Sequence, residues 1–168
     1  VREATEADVP VLFGLVNEAY KVELGDDGVA FKKTDRMATM EEVLWRRYSV
    51  VEADGTVVGC ICIRFVTDDG VTVDASHNAM FGPVAVSPAH QGKLAAGTGI
   101  GSTLIKFAES WAKSKGCTHL MIELVNHRSD LVRFYGKRGF VETGTAEFPD
   151  PDRLTRPSHL VLLRKELA

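Results

Sequence analysis

Hydrophobic positions along the chain change period several times, and each change marks an element. Val9, Leu12, Phe13, Val16 and Tyr20 recur three or four residues apart, the spacing of one apolar helix face. Thr5, with Asp8 three residues on, supplies an N-cap for this helix, and Pro10 falls in its first turns. Residues 21 to 38 lose the period and carry charges and glycines; they read as a loop or an irregular helix. Thr39 with Glu42 forms a capping-box pattern that opens a short helix through Arg47.

From there the pattern turns to strands. In VVEADGTVVGCICIRFV two β-branched runs flank Asp54-Gly55, a hairpin signal, and Asp68-Asp69-Gly70 marks a further turn. The apolar run from Ala79 to Val86 reads as a buried strand ending at Ser87-Pro88. Ile100, Leu104, Ile105, Ala108, Trp111 and Ala112 make a second helical face, closed by Lys113, Lys115 and Gly116. HLMIELV is a strand, Ser129 caps a short helix in SDLVRFYGKRG, and FVETGTAEF and SHLVLLRKEL are strands separated by the loop PDPDRLTRP. The order predicts an α+β fold with a mixed sheet, because strict strand–helix alternation is absent.

Composition narrows this little. The chain has 168 residues, 45% hydrophobic and 26% charged, which predicts one globular domain over residues 1–168. A net charge of −3 argues against nucleic acid as the main partner. The three cysteines, Cys60, Cys62 and Cys117, are odd in number and irregularly spaced, so no disulfide framework is expected. Cys60 and Cys62 lie in an apolar run with no second Cys/His pair at ligand spacing, so no metal site is expected. No apolar run approaches the ~18 residues of a membrane span and no signal pattern opens the chain, so the expectation is a cytoplasmic protein without a membrane partner. The chain begins at Val1 rather than Met, as a sequence trimmed upstream would.

The stretch HQGKLAAGTGIGS, just before the second helix, carries the candidate chemistry. A dinucleotide fingerprint does not fit: Ser102 stands where the third glycine belongs, and the preceding strand ends well upstream. A P-loop needs Gly-Lys-Ser/Thr at its end, and Lys93 is misplaced. Two readings stay open. One is a tight loop whose glycines serve only for turning. The other is an anion cradle, in which bare amides and a helix N-terminus converge on a phosphate.

The residues around it resemble a known family. VAVSPAHQGK…GIGSTLI, then HLMIELVN, then RFYGKRGFVETG are similar to the signatures of the GCN5-related N-acetyltransferases, in Val86, Pro88, Gln91, Gly92, Gly99, Ile100 and Gly101, then Asn126, Tyr135, Gly139 and Phe140. The specific part covers about residues 78 to 144. The resemblance implies a mixed, mostly antiparallel sheet of six to seven strands with about four helices, splayed between its two central strands. It implies acetyl-CoA as acyl donor and a primary amine of a small molecule or peptide as acceptor, with direct attack in a ternary complex. The alternative is a catalytically silent acyl-CoA-binding or sensor module on the same fold. A monomer or homodimer is expected.

The site implied by the resemblance follows residue by residue. Gly97, Thr98, Gly99, Ile100, Gly101 and Ser102 are expected to hold the diphosphate, with Gln91 and Gly92 kept in the binding set. The family runs these two halves together, whereas here Leu94-Ala95-Ala96-Gly97-Thr98 intervenes before Gly99. Main-chain groups of Val84, Ala85 and Val86 are expected to pair with the pantetheine, next to Pro83, which has no N–H to give a ladder. Asn126 is a further pantetheine contact or a strand-end cap. Tyr135 is expected to serve the leaving thiol; by helix pattern alone it reads rather as a core tyrosine, with Phe134 beside it as the alternative aromatic. The attacking amine must be neutral, so a base is needed. Glu123 is the first candidate, or else an ion-paired strand carboxylate; His77, Asp74 and His127 are weaker candidates. Tyr20 to Arg36, with Glu23, Asp26 and Asp27, is the expected acceptor wall or a solvated loop, and EFPDPDRLTRP a second wall or dimer contact.

Overall fold

The computed structural model describes residues 1–23, 47–67, 78–91, 99–149 and 151–168. In chain order these form β1 (Arg2–Glu3), α1 (Val9–Ala19), β2 (Tyr48–Ala53), β3 (Thr56–Val66), β4 (Asn78–Val86), α2 (Ile100–Ser114), β5 (His119–Val125), α3 (Ser129–Gly136), β6 (Val141–Glu147) and β7 (His159–Glu166), with short 3-10 turns between some of them. The seven strands follow the order β1-β2-β3-β4-β5-β7-β6. β4 pairs parallel with β5, while β1–β2, β2–β3, β5–β7 and β6–β7 are antiparallel. This is the mixed, mostly antiparallel α+β sheet expected. Three α-helices lie among the described residues, against about four expected; the helix predicted to open at Thr39 falls outside the described residues except for Arg47, and the Asp68–Gly70 turn falls outside them entirely.

The chain divides into two compact units. The first holds Val1–Lys21, Arg36–Arg64 and Phe81–Trp111. In it, the apolar face of α1 delivers Leu12, Leu15 and Val16 to a core with Tyr48, Val50, Cys60, Cys62 and Ala85. Thr5 caps the 3-10 turn Glu6–Asp8 that leads into α1, so the N-cap of α1 itself is Asp8 rather than the expected Thr5; the Asp8 carboxylate accepts the Thr5 amide at 2.7 Å and the Thr5 hydroxyl at 3.0 Å. Arg2 grips the same carboxylate with both terminal nitrogens, at 2.8 and 3.0 Å, and also reaches Glu52. The β2–β3 hairpin turns at Asp54 (φ 50°) and Gly55 (φ 74°). Two successive positive φ angles define the type I′ turn that the Asp-Gly pair predicts.

The second unit holds Val22–Asp35, Phe65–Met80 and Ala112–Ala168. β5 pairs with β7 along its whole length, from His119 opposite Glu166 to Val125 opposite Leu160. The parallel β4–β5 ladder is much shorter: it joins Asn78, Ala79 and Met80 to His119, Leu120 and Met121, and ends there. Val66, Met80 and Met121 form one buried cluster, and Val125 with Leu160 forms another, packed by Ala146, Phe148 and Leu154. α2 stops in a Schellman motif. Gly116 (φ 76°) gives its N–H to Lys113 O, and Cys117 gives its N–H to Ala112 O, both at 3.0 Å.

Candidate functional site

In the first unit the candidate cradle is the start of α2. Thr103 N–H donates to Gly99 O at 3.0 Å, which makes Ile100, Gly101 and Ser102 the first turn of the helix. Amides at that position have no intrahelical acceptor by construction and carry the positive end of the helix dipole. Among the described residues a Cβ placed on Gly101 would meet Val86 Cγ2 alone, at 3.9 Å, so none of them crowds the backbone there. These features fit an anionic diphosphate. Ser102 is buried, while Gly92, Gly97 and Thr98 lie outside the described residues.

A glycine not singled out by sequence sets the position of that helix start. A Cβ on Gly59, in β3, would lie 2.6 Å from Ile100 Cγ2 and 3.3 Å from both Ala85 O and Leu104 Cδ1. Gly59 therefore lets α2 begin hard against the sheet. Its signal was a glycine inside a strand, which marks close approach by a neighbouring group.

The β4 backbone expected to pair with a ligand has two distinct edges. Ser87 N–H donates to Val58 O at 2.8 Å, so this residue faces β3. By strand alternation the main-chain groups of Val84 and Val86 face the other edge. Both meet side chains there. Val84 N–H donates to the Tyr20 hydroxyl at 3.2 Å, and Gln91 Nε2 donates to Val86 O at 2.8 Å. Gln91 thus has a definite place, folded back on the strand. Pro83 follows the end of the β4–β5 ladder at Met80, as its missing N–H led one to expect, and the Gly82–Pro83 peptide is cis.

In the second unit, Tyr135 is fixed by the end of its helix. Phe140 N–H donates to Tyr135 O at 3.2 Å, and Gly139 N–H to Gly136 O at 3.1 Å, with Gly139 at φ 88°. This is a second Schellman motif, and its usual apolar contact is the Tyr135–Phe140 ring pair, 5.6 Å apart and edge-on. Phe134 packs edge-on against Tyr135 from the other side and carries the Arg138 guanidinium 3.5 Å above its ring. The helix begins at Ser129, so the N-cap is Arg128 rather than the expected Ser129. Tyr135 is only 6% exposed, and burial holds its phenol well above the ordinary range. It is therefore protonated at neutral pH and able to donate.

Asn126 extends the β5–β7 ladder past its end. Its own N–H donates to His159 O at 3.0 Å, and its Oδ1 accepts His159 N–H at 3.1 Å. The strand-end reading thus has direct support, and the Nδ2 group is the part of the side chain suited to a ligand carbonyl. Glu123 is half-buried in β5 opposite Leu162, and no ion pair or hydrogen bond to its carboxylate occurs among the described residues. His127 Nε2 lies 3.2 Å from Pro157 O and 3.1 Å from Ser158 Oγ, a loop-fastening role. Asp74, His77, Asp26, Asp27 and the Glu23 side chain lie outside the described residues.

All three thiols are buried. Burial pushes the Cys60 thiol up to about 12 and raises Cys117 as well, which disfavours the thiolate that a nucleophile or metal ligand needs. Among the described residues no cluster of His, Cys, Asp and Glu could hold a metal ion, and no helix is long and apolar enough to cross a membrane.

The family model for the acetyltransferase (GNAT) family matches residues 17–140, and the chain belongs to that family of acetyl-CoA-dependent transferases. It is similar to a streptothricin acetyltransferase from Streptomyces lavendulae, 26% identical over 71% of this chain and 52% of the relative. The chain spans about half the length of that relative. Among solved structures it resembles a ribosomal-protein-alanine N-acetyltransferase from Brucella melitensis (TM-score 0.71, 22% identity, 99% of this chain and 98% of the other). It also resembles yncA, a putative acetyltransferase from Salmonella typhimurium solved with acetyl-CoA (TM-score 0.68, 20% identity, 99% and 92% covered). At these identities the structural likeness concerns the fold.

Proposed function

We propose that the protein is an N-acetyltransferase that moves the acetyl group of acetyl-CoA to a primary amine of a small molecule or peptide within a ternary complex, in one domain over residues 1–168. The observation that carries this reading is the start of α2, where Gly99 precedes and Gly101 lies within the first turn of a helix whose leading amides have no intrahelical acceptor. Bound acetyl-CoA supplies an activated thioester. Gly97 to Ser102 hold its diphosphate, with Gln91 and Gly92 adjoining. Val84 and Val86 offer the pantetheine the main-chain groups that face away from β3, with Ala85 between them turned to β3, and Asn126 offers its amide. As the amine nitrogen bonds to the acetyl carbon and the C–S bond breaks, Glu123 takes a proton from that nitrogen and the Tyr135 phenol donates one to the departing thiolate.

The turn at the end of α3 supports the assignment of Tyr135, since it holds in one place a phenol that is protonated at neutral pH. Glu123 is supported by a half-buried carboxylate without a partner among the described residues. The test is a panel of amines and peptides, streptothricin and alanine-terminated peptides included, assayed with a thiol reagent for released CoA. Release well above background hydrolysis with one acceptor class is expected and identifies the substrate. Acetyl-CoA binding with no release across the panel would favour the silent acyl-CoA module, and no binding at millimolar concentration would refute both.

A further inference from the structure

On the edge of β4 that faces away from β3, two main-chain groups, Val84 N–H and Val86 O, are met by side chains. Tyr20 brings an acceptor oxygen to Val84 N–H at 3.2 Å, and Gln91 brings a donor N–H to Val86 O at 2.8 Å. An acceptor followed by a donor is the pattern that an amide-bearing chain presents when it lies along a strand edge. Tyr20 is held in place to do this. Its N–H bonds to Val16 O at 3.1 Å as the C-cap of α1, and its ring packs against the buried cluster of Leu12, Val16, Tyr48 and Ala85.

The geometry points to Tyr20 as a positioning residue that occupies the Val84 amide in the free protein and yields it to the acyl-pantetheine chain of the donor. This rests on the reading of Val84 to Val86 as the pantetheine strand. Val84 and Tyr20 are half-buried, and an amide there without an acceptor costs stability, so the phenol keeps the strand edge paired before the donor arrives. The donor must then exchange one hydrogen bond for another, and the phenol, displaced, remains at the acyl end of the strand. Val86 O has a second lone pair, so Gln91 need not leave.

The experiment compares wild type with Tyr20→Phe, which keeps the ring that packs the core. In the free wild type, Val84 N–H should be protected from hydrogen exchange, and the variant should lose that protection. Acetyl-CoA should bind the variant about threefold to tenfold more tightly in calorimetry, because no phenol competes for the amide. KM for acetyl-CoA should fall to match. With acetyl-CoA bound, Val84 should be equally protected in both proteins. If the affinity and Val84 protection are the same in both proteins while acetyl-CoA still shifts the amide resonances of Gly99 and Gly101, the exchange is wrong and the proposed function stands. If wild type shows no acetyl-CoA binding at all, the exchange and the proposed function fall together.

Discussion

The amide of Phe140 reaches back five residues to the carbonyl of Tyr135, and the two rings meet edge-on beneath that bond. The motif Tyr-x-x-x-Gly-Phe is therefore a helix terminator as well as a carrier of a phenol. Gly139 makes it possible with φ 88°, a conformation open to glycine and strained for other residues. Gly139→Ala should destabilise the protein by about 1–2 kcal/mol in chemical denaturation. Turnover should fall by more than the loss of folded protein explains, because Tyr135 is held by the same turn.

Tyr135→Phe should lower kcat about 10²–10⁴-fold while KM for acetyl-CoA stays within about twofold. Burial raises the native phenol above its ordinary value of 10.0, so the unfolded chain loses this proton first as pH rises. Stability from this group is complete below about pH 10 and declines as pH climbs through the native value. The alkaline limb of a thermal-unfolding series should be steeper in wild type than in Tyr135→Phe, and equal slopes would contradict the burial effect.

Asn126 can be dissected by two substitutions. Asn126→Ala removes the acceptor for His159 N–H and should cost about 0.5–1.5 kcal/mol. Asn126→Asp keeps an acceptor oxygen but removes the amide donor. If the side chain also holds pantetheine, Asn126→Asp should retain stability near neutral pH and still raise KM for acetyl-CoA. Unchanged KM in a stable Asn126→Asp enzyme would leave the residue a purely structural cap.

Gly59→Ala places a methyl 2.6 Å from Ile100 Cγ2, with Ala85 O on the other side at 3.3 Å. Neither neighbour is the end of a long flexible chain. The expected loss is about 1–3 kcal/mol, with a weaker affinity for CoA as the first turn of α2 shifts. Denaturation and calorimetric titration on the same preparation would read both effects.

At acid pH the Arg2–Asp8 fork should dominate one part of the response. Arg2 and the Thr5 groups hold the Asp8 carboxyl well below its ordinary value of 3.8. The unfolded chain takes up that proton first, so the stabilisation is present above about pH 3.8 and is lost as pH falls below it. Asp8→Asn should lower Tm by about 2–4 °C at pH 7 and flatten the decline below pH 4. A parallel acid decline in both proteins would show that the fork contributes nothing there.

What the sequence determined by itself was local. The Asp54-Gly55 turn, the glycine stop after Lys113 and Lys115 and the Thr5–Asp8 cap each close over a few residues, so residue type and spacing suffice to specify them. The period of the apolar positions likewise fixed most strands and helices, since burying one face requires a fixed repeat. The resemblance added the roles proposed for the start of α2 and for Tyr135. Tertiary structure decided the rest. Tyr20 and Val84 are 64 positions apart, and a tyrosine on an apolar helix face reads only as core until the strand it meets is known. Asn126 and His159 are 33 positions apart, and their bond depends on the register between β5 and β7. Gly59 and Ile100 meet because a strand and a helix start pack at a distance that excludes a side chain. Chain entropy makes such distant contacts costly one at a time, so they form as parts of a cooperative fold and leave little trace in any short stretch of sequence.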